Sequence, residues 1–319
     1  MKRILDKRKM TEADWQEYRA KQKGVGGSEV SSILDINKYK SKFVLWTEKT
    51  GAVEPEPVDN EFVEWGNILE PSIRKKFAEA TGFKTTKCNF VLQHDTYTFM
   101  IANIDGEFKD PSRKGKGVLE IKTTSEWNKG EWEGDHVPVA YMAQMQHYLA
   151  VTGYEYGAFA CLVGGNKYRQ FFVDRDEEAI ELIINAEKEF MEAVEANNYP
   201  WSIGGSASEA SWLAKQYPNA IEEEMSIPPS IEQLALEYTE IQDGMKELKA
   251  RAEEIKNQIK FEAKEFGVLR GNQVKIYMPT INKTLFDGKQ FAQDHAELYN
   301  EYKTKISSYR DFKVKLLEA

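Results

Sequence analysis

The sequence predicts an α/β fold: a mixed central β-sheet flanked by helices, followed by a C-terminal helical arm and a small β extension. Three observations carry this. Segments of helical and strand period follow one another as helix, strands, helix, strands, helix over residues 1–200, an order that layers helices on sheets. Within them, Gly117–Thr124 (GVLEIKTT) has strand alternation, with Leu119 and Ile121 on one face and Glu120 and Lys122 on the other. A heptad seam over 231–259 stands outside the alternation.

In chain order, Thr11 caps a helix over 11–22 with Glu12 and Asp14 in its first turn. Gly24-Val25-Gly26-Gly27-Ser28 breaks the chain before a second short helix, Glu29–Leu34, and Pro55 and Pro57 mark a loop. A long helix covers Phe62–Ala80 with Phe62, Trp65, Leu69, Ile73 and Phe77 on one stripe, and Gly82 is placed to end it. Residues 87–93, 97–104 and 117–123 read as strands, Pro138–Thr152 as a helix, and Tyr156–Leu162 with Lys167–Val173 as a hairpin turning at Gly164-Gly165. Residues 176–198 are again helical.

Pro200, Gly204, Gly205, Pro218, Pro228 and Pro229 make 201–230 a linker or loop. The next helix, 231–266, carries Ile231, Leu234, Tyr238, Ile241, Met245, Leu248, Ala252, Ile255 and Ile259 at alternating spacings of three and four. Gly244, Ala252 and Tyr238 weaken that zipper. Two arrangements fit it: an antiparallel arm packed on its own body or a neighbour, and a coiled-coil dimer. Residues 267–319 return to strand, with Val274, Ile276 and Met278 alternating.

Hydrophobic residues at 41% and charged residues at 30% describe a soluble globular protein long enough for one large or two smaller cores. No apolar stretch reaches membrane-spanning length, and the N-terminus lacks the apolar core of a secretion signal. Two cysteines, Cys88 and Cys161, make neither a disulfide framework nor a four-cysteine metal site, so a reducing, intracellular compartment is expected. The net charge of −9 argues against bulk coating of nucleic acid. Residues 1–50 nevertheless hold 12 Lys+Arg against 7 Asp+Glu. That local excess suits an enzyme gripping phosphates, and equally a solvated N-terminal helix.

Asp105 ends the apolar run Phe99–Ile104 and lies fifteen residues before Glu120. If the two strands pair, both carboxylates reach one hard cation, as Mg²⁺ wants oxygen ligands and keeps several waters. Lys122 is then placed to orient or deprotonate an attacking water. The alternative is a structural ion pair on an exposed strand. Glu70 sits beside the core stripe of its helix, where a carboxylate is costly unless paired or bound to a cation, and Arg74 one turn on offers the simpler pairing. Gln144 shares a helix face with Tyr141 and Tyr148, as a support for the lysine or a metal-bound water, or as a satisfied core amide. His147 reads as structural or solvent-facing. Ser28, after Gly26-Gly27, is either a phosphate ligand at a helix start or a serine N-cap. Lys21 is near enough in sequence to share its anion.

Several stretches, in this order over residues 20–160, resemble the YqaJ-type viral recombinase family, relatives of phage lambda exonuclease in the PD-(D/E)xK nuclease superfamily. They are KQKGVGGSEV (21–30), LWTEKTG (45–51), GNILE (66–70), NIDG (103–106), LEIK (119–122) and AQMQHY (143–148). The tail from FDGK (286–289) to SSYR (307–310) is also similar to extensions of that branch. The resemblance implies a restriction-endonuclease-like core in which Asp105 and Glu120, with the Ile121 carbonyl, bind catalytic Mg²⁺, or Mn²⁺ in its place. It implies Lys122 on the nucleophilic water, Glu70 joining the metal shell directly or through water, and Gln144 in support. Ser28 would line a pocket for a 5′-phosphate. Relatives place an arginine where this chain has Lys21; lysine supplies charge without the bidentate fork, and Arg19 is the nearby substitute.

The activity so implied is 5′→3′ exonucleolysis from double-stranded DNA ends, leaving 3′ single strands for phage-type recombination. The implied setting is the cytoplasm of a bacterial host, the gene being carried by a phage or prophage. A ring-like homo-oligomer (trimer or tetramer) and a single-strand annealing protein are the implied partners, with no membrane. The competing readings are an endonuclease on the same fold and a catalytically idle DNA-binding or assembly module. Iron–sulfur nucleases are disfavoured, since two cysteines cannot hold a cluster.

Overall fold

The computed structural model describes residues 1–55, 61–134, 136–303 and 310–315. Pro57 and Ser307–Tyr309 therefore lie outside the described residues. The chain divides into two units, Met1–Leu213 and Ala214–Ala319.

The first unit is α/β with mixed sheets and flanking helices. It runs β1 (Lys2–Asp6), α1 (Glu12–Ala20), β2 (Val25–Gly26), α2 (Val30–Ile33), α3 (Lys42–Lys49), α4 (Glu61–Thr81), β3 (Lys84–Lys87), β4 (Phe90–Gln93), β5 (Met100–Ala102), β6 (Gly106–Lys109), β7 (Gly117–Thr124), α5 (Val139–Thr152), β8 (Tyr156–Val163), β9 (Lys167–Asp174) and α6 (Glu177–Glu195). A seventh helix, α7 (Ala207–Gln216), spans the boundary between the units.

The larger sheet has the order β3-β6-β7-β8-β9, antiparallel except for β7 and β8. That parallel pair needs a crossover, and α5 supplies it. A second sheet, β1-β4-β5-β2, lies beside it in the fold order. Strand β7 is thus central, with apolar residues toward both layers. Val118 joins the core built with Met145 and Leu149 of α5, whereas Leu119 and Ile121 join Ile73 and Phe77 of α4.

Several sequence expectations change here. The strand read over 87–93 is two strands, β3 and β4, and the chain passes between the two sheets at Cys88-Asn89. The 97–104 strand shrinks to β5, in the smaller sheet, so it does not pair with β7 as expected. The partner is β6, four residues too short to show a period of its own. Lys2–Asp6, without helical or signal character, is a strand on β4. The helix read over Glu29–Leu34 starts as a 3-10 turn, Gly27–Glu29, and only Val30–Ile33 is α-helical.

The 62–80 stripe is buried only in its second half: Ile73 and Phe77 are core, while Phe62 and Trp65 are 81% and 57% exposed. The 201–230 segment is not all loop. Glu209, buried, accepts from the Gly204 and Ser206 amides at 2.9 Å each and so caps α7, and Trp212 packs edge-on to Phe43. Its Pro and Gly residues lie outside the helix, which is why composition hid it. The Gly164-Gly165 turn forms as expected, with φ of 60° and 75°, values glycine adopts without strain.

The second unit holds α8 (Pro229–Ala263), a hairpin of β10 (Val268–Arg270) and β11 (Lys275–Tyr277), and two short helices, α9 (Gly288–Asp294) and α10 (Ala296–Tyr302). No helix among the described residues is long and apolar enough to cross a membrane.

Candidate active site

The site forms where the β6–β7 ladder ends. Gly106 is paired with Leu119, and continuing that antiparallel register by one residue sets Asp105 opposite Glu120. Backbone pairing stops there, and the Asp105 side chain replaces it: its Oδ2 accepts from the Ile121 amide at 2.8 Å. The Asp105 carbonyl accepts from the Cys88 amide at 3.3 Å and from Arg74 at 3.4 Å. The position is therefore held by both its backbone and its side chain.

Glu120 and Lys122 point toward α5. Lys122 Nζ donates to Glu120 Oε1 and to Gln144 Oε1, 2.9 Å each, and lies 4.6 Å from the centre of the Tyr141 ring. Gln144 Nε2 donates to Glu120 Oε1 at 3.1 Å and to the Tyr148 hydroxyl at 2.9 Å. Every polar atom of the Gln144 side chain is thereby used in orienting the pair. Glu120 is 4% exposed, and its Oε2 is buried with no hydrogen-bond partner. Such an atom is costly to leave unpaired.

The electrostatics follow from that burial. Desolvation, and then the charge of Glu120, push the Asp105 carboxyl up to about 8. Desolvation also raises Glu120, although the Lys122 ammonium pulls the other way. For Lys122, burial works to lower the pKa, but the two carboxylates outweigh it and hold the ammonium above its ordinary range.

Glu70 does not complete a three-carboxylate cluster. It is paired with Arg74 on its own helix, and Lys87 stands 3.7 Å away. Among the described residues, no three His, Cys, Asp or Glu side chains gather in a ligating set. The Arg74 alternative read from spacing is the arrangement present. His147 takes the structural of its two readings rather than the solvent-facing one. It is fully buried, with Nδ1 2.7 Å from Glu187 Oε1 and Nε2 3.0 Å from the Ile101 carbonyl.

The glycine loop is carried to the same helix. A side chain on Gly27 would collide with the Tyr148 ring, and one on Gly24 would lie 2.6 Å from the Phe99 carbonyl, so both glycines permit close approach. Lys49, its side chain 7% exposed, pins the loop: it pairs with Glu29 Oε1 at 2.8 Å and donates to the Gly24 carbonyl at 2.7 Å. Glu29 Oε2 in turn accepts from the Gly26 amide at 2.8 Å. Ser28 is exposed in the 3-10 turn and does not cap a helix. Lys21 is exposed, bound to Glu17 at 2.5 Å. Arg19, also exposed, lies near enough for its charge to act on the Tyr148 hydroxyl.

Sequence reasoning missed Lys7 and Asn103. Lys7 Nζ donates to Asn103 Oδ1 at 2.5 Å, and its charge acts on Asp105 and Glu70. A residue in the turn just after β1, reaching the site across almost a hundred positions, leaves no local signal. Lys49 and Glu29 were also unassigned, although both lie inside the stretches quoted above.

Among solved structures, this chain is similar to an alkaline exonuclease from Laribacter hongkongensis, at 23% identity and a TM-score of 0.47, covering 56% of this chain and 92% of that one. A phage-related exonuclease from Haemophilus somnus 129PT matches at 16% identity and a TM-score of 0.37, covering 55% and 96%. A family model described as the YqaJ-like viral recombinase domain matches residues 14–155. The uncharacterised protein YqaJ of Bacillus subtilis strain 168 is 33% identical over 311 residues, 96% of this chain and 95% of that protein. With that identity sustained along both chains, and the family model falling on the segment that builds the site, this chain belongs to the YqaJ-like viral recombinase family.

Proposed function

We propose that this protein is a Mg²⁺-dependent DNA exonuclease that degrades double-stranded DNA from its ends in the 5′→3′ direction. The observation that carries the reading is the buried Glu120 Oε2, unpartnered beside Asp105 at the end of a ladder. Two carboxylates forced together with a lone pair left over are an unfavourable arrangement in isolation. A divalent cation satisfies them. Asp105, Glu120 and the Ile121 carbonyl would hold it, with Glu70 joining through water once released from Arg74, and Mn²⁺ is an alternative occupant. When bound, the cation lowers the pKa of a coordinated water and stabilises charge on the phosphate oxygens.

The chain's own residues do the rest. The Lys122 ammonium, fixed by Glu120 and Gln144, orients the attacking water and donates toward the charge that develops on phosphorus oxygens. Gln144 keeps Lys122 on that side and is itself held by Tyr148. Arg74 and Lys7 add positive charge around Asp105. The Gly24–Ser28 loop, rigidified by Lys49 and Glu29, offers the Ser28 hydroxyl to a terminal 5′-phosphate, with Arg19 and Lys21 supplying charge. The product would be a 3′ single strand for recombination in the bacterial cytoplasm, handed to an annealing protein. The ring-shaped trimer or tetramer of the family's relatives would keep the enzyme on its DNA. With a net charge of −9, binding relies on this local charge and should weaken steeply with salt.

The test is digestion of linear duplexes bearing 5′-phosphate or 5′-hydroxyl ends, with a covalently closed circle alongside, in Mg²⁺ or EDTA. Mg²⁺-dependent release of mononucleotides from linear DNA only, faster from 5′-phosphate ends and absent in Lys122→Ala, is expected. Cutting of the circle replaces this reading with an endonuclease. Absence of cleavage by folded protein with either metal leaves a DNA-binding module.

A further inference from the structure

The 35-residue helix α8 has a stripe of large apolar side chains facing water. Leu234 is 59% exposed, Ile241 54% and Leu248 72%. Phe312 meets this stripe at Tyr238, with ring centroids 5.1 Å apart, yet Tyr238 stays 39% exposed. A regular stripe of this length on a folded helix marks a surface that is covered in use. Its heptad spacing fits another helix.

The flanking charges select which helix and which direction. In the seam, Tyr238, Met245 and Ala252 occupy one core position of the heptad, and Leu234, Ile241 and Leu248 the other. A second α8 laid antiparallel, with the two-fold axis at the level of Asp243, sets Ile231 of one copy on Ile255 of the other. Leu234 then meets Ala252, Tyr238 meets Leu248, and Ile241 meets Met245. Large thus packs against small where the chain supplies an alanine. In the same register Glu237 of each copy flanks Arg251 of the other, Gly244 faces Gly244, and Gln242 faces Gln242. No like charges are opposed. A parallel, in-register pair instead sets Arg251 against Lys256 on both sides, a repulsive placement. Arg251 is bound within its own helix only to Glu254, at 2.7 Å, with both side chains more than half exposed. Such an exposed pair is weak and is readily exchanged.

From this seam and its charges we propose that α8 pairs antiparallel with α8 of a second copy of this chain, forming a two-fold coiled coil centred on Asp243, between Gln242 and Gly244. The contact is isologous, each copy presenting the same face to the other.

The test uses the full chain and reads mass and disulfide yield, so its result is independent of DNA cleavage. Light-scattering mass is measured for wild type and for Ile241→Lys/Leu248→Lys. Both positions are solvent-exposed, and circular dichroism checks that the variant is folded. The expected mass of the variant is half that of wild type. Under mild oxidation Gly244→Cys should cross-link into a covalent dimer in higher yield than Tyr238→Cys, the native Cys88 and Cys161 both being buried. Glu237→Arg and Arg251→Glu should each weaken association several-fold, and the double exchange should restore it. An unchanged mass in the Lys/Lys variant overturns the proposal. Preferential cross-linking at Tyr238→Cys, which a parallel pair brings face to face, overturns it too, as does failure of the double exchange to restore association.

Discussion

Helices α5 and α8 break the rule of apolar inside and polar outside in opposite ways. In α5 every residue from Ala143 to Thr152 is buried, and four of them, Gln144, Gln146, His147 and Thr152, are polar. In α8 only Ala263 is buried, and the apolar stripe faces water. Each exception has its own physical reading. A buried polar side chain survives only with partners, and those of α5 bind Lys122, the buried Glu120 and Glu187, and the backbone carbonyls of Ile101, Tyr148 and Asp174. An exposed apolar side chain survives freely, but a regular row of them specifies a surface. In this protein, then, the polar atoms of the interior are held by partners, while the exposed apolar row offers the face used in the pairing proposed above.

The comparison breaks first at the β7 end of α5. Lys122→Ala should lower cleavage by about 10²–10⁴-fold, the usual worth of a positioned proton-handling group, as measured in single-turnover digestion. Asp105→Asn should lower it comparably while raising the thermal midpoint. The amide oxygen still accepts from Ile121, but the repulsion with Glu120 and the desolvation cost are gone. A dead variant that is less stable than wild type would mean that the carboxylates support the fold rather than burden it.

The next largest effect is at His147 and Glu187, a pair with no part in the cleavage proposed. Removing one partner of a buried pair costs about 3–5 kcal/mol, so His147→Ala should lose that much in denaturant unfolding. Its pH dependence has a definite sign. Burial lowers the His147 pKa, yet Glu187 and the Ile101 carbonyl outweigh it and the net shift is upward. Burial raises Glu187 as well. The folded pair therefore holds its proton more tightly than the unfolded chain. Its stabilisation is complete below the ordinary histidine value of 6.5 and is lost as pH rises through the raised native values. The thermal midpoint of wild type should fall from near-neutral pH upward, and that of His147→Asn should be flatter. A wild-type midpoint that rises over this range would contradict the pairing.

Smaller effects sharpen the contrast. Lys49→Met should cost about 1–3 kcal/mol, as the partly exposed Glu29 carboxylate and the Gly24 carbonyl lose their donor. It should also erode the preference for 5′-phosphate over 5′-hydroxyl ends while leaving cleavage itself intact. Smallest is the effect of Leu248→Lys on the folding stability of an isolated chain, expected within about 0.5 kcal/mol because the site is exposed. Chemical unfolding at concentrations below association would check it.

How much was legible in the sequence depended on whether the signal was local. Lys122 and Glu120 share a face because strand geometry makes them do so, and α5, the β8–β9 hairpin and α8 each carry a complete period. Asp105 was correctly paired with Glu120, but through the wrong strand, since β6 has too few residues to declare itself. Burial was harder to read than period. Phe62 and Trp65 belong to the stripe of α4 and still face solvent, because the layer beneath covers only the later turns. Lys7, Asn103 and the Lys49–Glu29 clamp depend on which segments the fold brings together, and no window of sequence records that. Glu70 shows the limit most plainly: spacing offers both a cation and Arg74, and the side chain is seen paired with Arg74.

The parallel ladder between β7 and β8 carries a last consequence. Its pairs run from Val118 with Gly157 to Thr124 with Val163, so β7 is framed only after the chain has passed through α5 and returned. A ribosome releases the segments bearing Asp105, Glu120 and Lys122 well before the one bearing Gln144, and β8 last of all. Contacts between residues so far apart in sequence form late. The nascent chain thus carries Asp105 and Glu120 unassembled until β8 has been made, and the site waits for the crossover to close.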